Sequence, residues 1–280
     1  MSSNYSNNMM NALWNFMAPG FYNYGRIDPD ADVESIPDLS QANEDMVHYL
    51  IAELGITKDA RLLELGCGKG MYTIRIAEET GCTYTGIEIN EEYVENECKK
   101  RAKLHGVSDQ GEFITGSMID LLQHVRNQTF THIMMNQTMY YCHNDLNNLF
   151  DQIASVSTEE TKIFSWDFVR RCGWEDCKIP NSHLKLPHPI LTKEEVFRMI
   201  EKSKLDLAGF VDATDTIIPG YKIMERECRK RDPDLTSLTY PRMGRGFMTG
   251  LLACVYYHLK LQTVPPKMNI APGRYTNGNH

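Results

Sequence analysis

The fold of this chain is decided by one stretch, Leu62-Leu63-Glu64-Leu65-Gly66-Cys67-Gly68-Lys69-Gly70. An apolar run ends in an acid, three glycines alternate with other residues, and a helical pattern follows. This order predicts a strand, a tight turn and a helix start. Glycine permits the sharp bend and lets a ligand lie against the backbone. Because the first N–H groups of a helix are unpaired, we expect this turn to cradle a nucleotide-type cofactor.

The spacing of the glycines narrows the choice of cofactor. A dinucleotide fingerprint is G-x-G-x-x-G, whereas this run is G-x-G-x-G, one residue shorter. Glu64 favours a ligand that carries an ammonium group and disfavours a pyrophosphate. Glu88 follows Gly66 by 22 residues, close to the distance at which an acid binds ribose hydroxyls in such folds. A ribose, an ammonium and no phosphate together indicate S-adenosylmethionine.

At these residues the chain resembles the class I S-adenosylmethionine-dependent methyltransferases. The likeness rests on residues 64–70 and on Glu88, and it extends over residues 40–168. It implies an α/β, Rossmann-like fold, with a mostly parallel sheet and helices on both faces. The cofactor-binding residues that it implies are Glu64, Gly66, Cys67, Gly68, Gly70, Glu88, Ile89, Ser117, Met118, Asn136 and Gln137. The alternatives are a dehydrogenase and an incidental glycine turn.

Composition and charge exclude several other classes. A chain of 280 residues can bury one substantial core, and a net charge of −8 argues against nucleic acid or anionic membranes as partners. No apolar run reaches the roughly 18 residues that a membrane span needs. The N-terminus lacks the pattern of a signal peptide and the eight cysteines are scattered, so we expect reduced thiols and a cytoplasmic protein.

The order of periodic segments predicts a single domain over residues 1–280. We expect an N-terminal arm or lid (1–40), a cofactor-binding core (41–168), a cap insertion (169–190), a C-terminal part of the core (191–262) and a disordered tail (263–280). Helices are expected at 41–54, 70–80, 91–105, 145–156, 192–203 and 216–231, and strands at 61–65, 83–89, 113–114, 130–135, 161–168 and 205–212. Residues 247–257 are apolar enough to be buried, as helix or as strand.

The arm contains an aromatic segment, Phe21-Tyr22-Asn23-Tyr24-Gly25. Tyr22 and Tyr24 suit a lid over the sulfonium, because π faces and oxygen acceptors attract a cation. The alternative is an apolar anchor that packs the arm onto the core.

The segment after the fourth strand bears on the methyl acceptor. It reads Asn136-Gln137-Thr138-Met139-Tyr140, without the Pro-Pro-aromatic run of nucleic-acid base methyltransferases. Together with the acidic charge, this predicts a small-molecule acceptor and no nucleic acid. The sequence leaves a homo-oligomer open.

The same segment, with residues 146–150 and 216–221, resembles the sterol and terpene C-methyltransferases and their cyclopropane synthase relatives. Such enzymes methylate an alkene and must hold a carbocation, which aromatic rings can stabilise. The candidates for substrate contact are Tyr141, Trp166, Phe168, Trp174 and Tyr221, and those for catalysis are Tyr22, Tyr24, Asn136, Tyr140 and His143. These relatives often carry a glutamate where this chain has Asn136, so Glu225 or a histidine would have to replace it.

Two other functions stay open from sequence. One is N- or O-methylation of a small amine, phenol or carboxylate, which depends mainly on positioning, with a histidine as base where the acceptor carries a proton. The other is a non-catalytic module that keeps the cofactor fold. A zinc set of Cys172, Cys177, His183 and His188 does not match the usual spacings, so we expect no metal.

Overall fold

The computed structural model describes residues 12–142, 144–171, 190–232 and 239–262, in which seven strands form one sheet. The strands are β1 (Arg61–Leu65), β2 (Thr83–Glu88), β3 (Gly111–Thr115), β4 (Phe130–Asn136), β5 (Ser157–Arg170), β6 (Leu205–Asp212) and β7 (Leu252–Leu261). The helices are α1 (Ser40–Leu54), α2 (Met71–Thr80), α3 (Glu91–Tyr93, then a π-helical turn Val94–Cys98, then Lys99–Leu104), α4 (Leu121–Val125), α5 (Leu146–Ser155), α6 (Lys193–Glu201), α7 (Thr214–Arg231) and α8 (Thr239–Met248). Short 3-10 turns cover Met118–Asp120 and Met139–Cys142.

The strand order is β3-β2-β1-β4-β5-β7-β6. Neighbours from β3 to β5 run parallel, and β7 runs antiparallel to both β5 and β6. The register sets Leu65 beside Ile87 of β2 and Met135 of β4, so the carboxyl ends of these three strands lie together. The chain adds β2 and β3 on one side of β1 and β4 on the other, so the strand order reverses between β1 and β4. Ligands of open α/β sheets bind outside the carboxyl ends of the strands at such a point. The predicted α/β, Rossmann-like sheet is confirmed.

Most predicted elements agree with the structure to within a few residues. The fifth strand is the largest exception: Ser157–Arg170 is longer at both ends than the predicted 161–168. The ambiguous run 247–257 is divided between two elements, because α8 ends at Met248 and β7 begins at Leu252. Gly250, with φ +73°, supplies the left-handed turn that separates them. The run shows neither a helical nor a strand period along its length because it contains the end of a helix and the start of a strand.

Two apolar layers cover the sheet, one on each face. Leu62 of β1 packs in the layer that contains the arm and α1, whereas Leu63 and Leu65 pack in the layer that contains α5. This alternation follows from the two-residue period of a strand. It also turns Glu64 toward the same face as the arm.

The arm is part of the core. Residues 12–17 are helical, and Trp14, Met17, Phe21 and Tyr24 are all buried against α1 and its neighbours. The side-chain amide of Asn43 donates to the backbone oxygen of Asn23 at 2.9 Å, which ties the arm to α1. The anchor and the lid interpretations are therefore compatible, since the segment that anchors the arm also carries Tyr22 to the cavity described below.

Several predictions fall outside the described residues. They concern the catalytic candidate His143, the substrate candidate Trp174, most of the cap at 169–190, the tail at 263–280 and the four residues of the zinc set. None of the described helices is long and apolar enough to cross a bilayer.

Candidate active site

The glycine turn joins β1 to α2, and all three of its glycines have positive φ: Gly66 +70°, Gly68 +57° and Gly70 +75°. A Cβ on Gly66 would lie 2.5 Å from Thr138, and one on Gly70 would lie 2.8 Å from the ring of Phe113. A Cβ on Gly68 would meet nothing within 4 Å. Two glycines therefore let the turn pack closely, whereas the middle one borders open space on the cavity side.

Glu88, at the end of β2, is fixed by two backbone donors. Its Oε2 accepts from the N–H of Gly68 at 2.9 Å, and its Oε1 accepts from the N–H of Asn90 at 2.9 Å. Burial nevertheless raises the pKa of this carboxyl. Each oxygen keeps a further lone pair, so the carboxylate is oriented to accept from a pair of adjacent hydroxyls such as those of a ribose.

Glu64 is only 2% exposed and lies at the end of β1. It accepts hydrogen bonds from the hydroxyl of Thr73 and, at 2.8 Å, from the side-chain amide of Asn136. Burial raises its pKa to about 7, and the two hydrogen bonds offset part of that rise. The site therefore holds an acid whose charge would be stabilised by a cationic ligand.

A cavity of about 990 Å³ opens at the ends of β1, β2 and β4, under the arm. Its volume suits a drug-sized ligand or a cofactor with a small acceptor. The predicted residues that line it are Tyr22, Glu64, Gly66, Cys67, Gly68, Glu88, Ile89, Ser117, Met118, Asn136, Gln137, Tyr140, Tyr141 and Phe168.

Four predicted residues do not line this cavity, contrary to the prediction. Trp166 lies two residues before Phe168 on β5 and is buried in the core. Its indole N–H donates to the sulfur of Cys254. Tyr24 and Tyr221 are buried against each other, with ring centroids 3.7 Å apart. Gly70 sits beneath the turn against Phe113 rather than on the cavity wall.

The wall at the end of β4 has an unusual backbone. Gln137 has φ +57°, a left-handed conformation that residues other than glycine seldom adopt, and its N–H donates to the oxygen of Trp166 at 2.6 Å. Among the described residues, the side-chain oxygen of Asn136 and the side-chain nitrogen of Gln137 have no hydrogen-bond partner. Both residues line the cavity, and both of these unpartnered atoms are themselves buried.

Asp167 organises the next segment. It is 1% exposed, and its carboxylate accepts from the backbone N–H groups of Met139 at 2.6 Å and Phe168 at 2.8 Å. Burial raises its pKa to about 7. These bonds fix the 3-10 turn that presents Tyr140 and Tyr141 to the cavity, with ring centroids 4.0 Å apart.

Trp14, Lys69 and Tyr93 are among the residues of the wall that sequence reasoning missed. Lys69 stands inside the motif that decided the fold, so its charge beside the cofactor turn was a usable signal. Tyr93 and Trp14 reach the cavity only because α3 and the arm fold over it, and no local pattern indicates that. The structure also removes Glu225 as a replacement for the missing glutamate, because Glu225 pairs with Arg229 on α7 and does not line the cavity.

Among the described residues, no group of three or more histidine, cysteine, aspartate or glutamate side chains could hold a metal ion. The cavity fits an organic cofactor. Open space beside Gly68, an oriented acid at Glu88 and a buried acid at Glu64 match the ribose and the amino-acid end of S-adenosylmethionine.

Comparison with known proteins identifies the family. A family model described as a methyltransferase domain matches residues 56–218, more than half of the chain. Sterol 24-C-methyltransferase ERG6 of Saccharomyces cerevisiae is 35% identical over 74 residues, which are 26% of this chain and 19% of that protein. The match thus spans about a fifth of the length of that relative.

Two of the solved structures that share the fold show how far the likeness extends. One is geranyl diphosphate C-methyltransferase from Streptomyces coelicolor, solved with Mg²⁺, geranyl diphosphate and S-adenosyl-L-homocysteine (TM-score 0.70, 16% identity, 93% of this chain and 99% of that one). The other is a putative sarcosine dimethylglycine methyltransferase from Galdieria sulphuraria (TM-score 0.73, 16% identity, 91% and 98%). The chain therefore belongs to the methyltransferase domain family and has the class I methyltransferase fold.

Proposed function

We propose that this protein transfers the methyl group to a carbon atom of a small, largely apolar acceptor, an alkene of isoprenoid, terpene or sterol type. The observation that carries the proposal is the composition of the cavity wall. Around the end of β4 and the arm it presents the aromatic rings of Tyr22, Tyr140, Tyr141 and Phe168. An alkene carbon would bond to the methyl group as the bond between that methyl and sulfur breaks, which releases S-adenosylhomocysteine and leaves a positive charge on the adjacent carbon. The π faces would stabilise this charge until a proton is lost to water.

The cofactor, when bound, supplies an electrophilic methyl group on a sulfonium. The residues of this chain then have three tasks. Glu88 and Gly68 orient the donor, the turn held by Asp167 orients the acceptor, and the arm covers the cavity. Catalysis of this kind depends mainly on an in-line approach of acceptor and methyl, since no covalent enzyme intermediate is needed.

A second candidate function is methylation of nitrogen or oxygen. The observation that favours it is Asn136, which places a neutral amide where a carboxylate would accept a proton from an alkene-derived cation. Its unpartnered, buried Oδ1 can accept a hydrogen bond from an amine or a hydroxyl. The two functions differ in the atom that receives the methyl group.

One product analysis separates them. The protein is incubated with S-adenosylmethionine carrying a labelled methyl group and two panels of acceptors, and products are identified by mass spectrometry and NMR. The first panel contains isoprenoid alkenes, including geranyl diphosphate with and without Mg²⁺ and a sterol with a side-chain alkene. The second contains small amines, sarcosine among them, phenols and carboxylates.

A new carbon-bound methyl in the first panel supports the proposal. Methylation confined to nitrogen or oxygen in the second panel rejects it and leaves the family assignment intact. The variant Glu88→Ala is the matched negative control, because we expect it to lose the cofactor while every acceptor stays available.

A further inference from the structure

Lys69 is a buried cation in the wall of the cofactor cavity. It lies between Gly68 and Gly70 and is only 4% exposed. Its Nζ donates to the side-chain oxygen of Asn15 at 2.6 Å and lies 4.6 Å from the ring centroid of Tyr22. The ammonium is thus enclosed by the glycine turn below and the arm above.

The partners of this ammonium are neutral. In the described part of the chain, no carboxylate oxygen forms an ion pair with its Nζ, and Glu97 is paired with Arg101 at 2.7 Å. The pKa of Lys69 is lowered, mainly by burial; the negative charge of Glu97 offsets part of this effect and the positive charge of Arg101 adds to it. Burying a cation without an anion costs free energy, so a buried cation on a cavity wall indicates an anion in the ligand.

Lys69 is the one positively charged side chain among the described residues that line the cavity. The other charged side chains among its described lining residues are acids: Glu64, Glu88, Glu92 and Asp145. Among the described lining residues, Lys69 is therefore the one whose charge can pair with an anionic group that enters this part of the cavity.

The cofactor carries an anion that matches this position. Its methionyl end bears a carboxylate and an ammonium on the same carbon atom. Glu64 and Lys69 stand at the two ends of one turn, an acid and a base five positions apart in the chain, and both line the cavity. An amino acid that lies along this turn can present its ammonium toward Glu64 and its carboxylate toward Lys69.

We propose that Lys69 binds the methionyl carboxylate of the cofactor, and that this contact makes the protein select donors that carry a carboxylate. Asn15 holds the ammonium in place from the arm side, so the same lysine links the donor to the cover of the cavity. The inference rests on the cofactor that the family binds and is independent of the acceptor.

The test compares two ligands that differ only in that carboxylate. Dissociation constants are measured by isothermal titration calorimetry for S-adenosylhomocysteine and for its decarboxylated analogue, with the wild-type chain and with Lys69→Met and Lys69→Arg. We expect the wild type to prefer S-adenosylhomocysteine by about tenfold or more, because hydrogen bonds to charged groups are the stronger ones. Lys69→Met should bring the ratio close to one, and Lys69→Arg should keep most of it.

The chain offers a matched control in Lys100. Its Nζ donates to the side-chain oxygen of Asn96 at 2.8 Å, the same pairing that Lys69 makes with Asn15, but on the exposed face of α3. Lys100→Met should leave both dissociation constants unchanged. Because the readout is a ratio for each variant, a general loss of folded protein cancels.

Three outcomes would overturn the proposal. A wild type that binds both ligands equally has no carboxylate site. A Lys69→Met variant that weakens both ligands by the same factor shows that the lysine only holds the arm. A variant that keeps the ratio but loses affinity for inorganic diphosphate shows that the anion belongs to the acceptor.

Discussion

The donor side and the acceptor side of the cavity are built in different ways. The donor side is local: the glycine turn and the ends of β1 and β2 lie within residues 61–90, and backbone N–H groups hold Glu88. The acceptor side is assembled from distant parts of the chain, as when the N–H of Met139 reaches Asp167, and when Tyr22 contacts Tyr93. The proposed contacts to the cofactor at the turn and at Glu88 therefore depend mainly on one short segment, whereas the proposed contacts to the acceptor depend on the packing of distant segments.

The largest effect is expected from a variant that disrupts only the donor side of the cavity. Glu88→Ala removes the acceptor of two backbone N–H bonds and of the proposed ribose contacts. We expect affinity for S-adenosylhomocysteine to fall by about 100-fold or more, measured by calorimetry. The exposed neighbour Glu91→Ala is the control and should bind normally. Unchanged affinity of Glu88→Ala would remove Glu88 from the cofactor site.

Two glycine variants in the same turn distinguish a glycine that is needed for close packing from one that is needed to leave room for the ligand. Gly66→Ala places a Cβ 2.5 Å from Thr138 at a left-handed φ, so we expect the free energy of unfolding to fall by about 2–4 kcal/mol. Gly68→Ala meets no atom and should cost about 1–2 kcal/mol of stability, from the left-handed φ alone, while weakening cofactor binding.

Chemical denaturation and calorimetry on both glycine variants provide the check. Equal losses of stability, or normal cofactor binding by Gly68→Ala, would contradict the view that the middle glycine borders the ligand.

The third prediction concerns pH and Glu64. Its pKa rises from 4.5 to about 7 on folding, so between these values the folded protein keeps a proton that the unfolded chain has lost. The stability that this proton provides is complete below about pH 4.5 and is lost as the pH rises to about 7. Burial also raises the pKa of Asp167, from 3.8 to about 7, so the stability that its proton provides is likewise lost as the pH rises to about 7.

A ligand ammonium near Glu64 favours the ionised form, so cofactor binding should show the opposite trend. We expect affinity for S-adenosylhomocysteine to rise by up to about tenfold per pH unit below pH 7 and to level off above it. Calorimetry between pH 6 and 8 measures this slope. Glu64→Gln should flatten it, and a slope that survives in that variant would assign the proton to another group.

The smallest effect is expected at the arm. Tyr22→Phe keeps the ring over Lys69 and removes only the hydroxyl, which lies 3.1 Å from that of Tyr93. One neutral hydrogen bond is worth about 0.5–1.5 kcal/mol, so we expect a loss of kcat/KM of at most about tenfold and a fall of similar size in the free energy of unfolding. Tyr93→Phe should give the same loss, and the double variant should add nothing. Additive losses would show that the two hydroxyls act separately.

The contrast between the two sides also explains what the sequence could predict. The positions of the glycine turn, Glu64 and Glu88 at the cavity were predictable, because they depend on neighbours in the chain and on the backbone conformation that glycine permits. Trp166 and Phe168 were indistinguishable in sequence, since only the length of β5 decides which of them reaches the cavity. Tyr221 was assigned to the substrate for its chemistry, but its position against Tyr24 depends on how α7 packs.

The position of β7 has a consequence for how the polypeptide acquires its structure. This last strand lies between β5 and β6, which do not bond to each other. Until it inserts, both of its neighbours present an open edge, and the distant pairing is slow to form. During translation the nascent protein is therefore expected to expose two unpaired strand edges until β7, which ends at residue 261, has left the ribosome. A chaperone would be of most use until that stage.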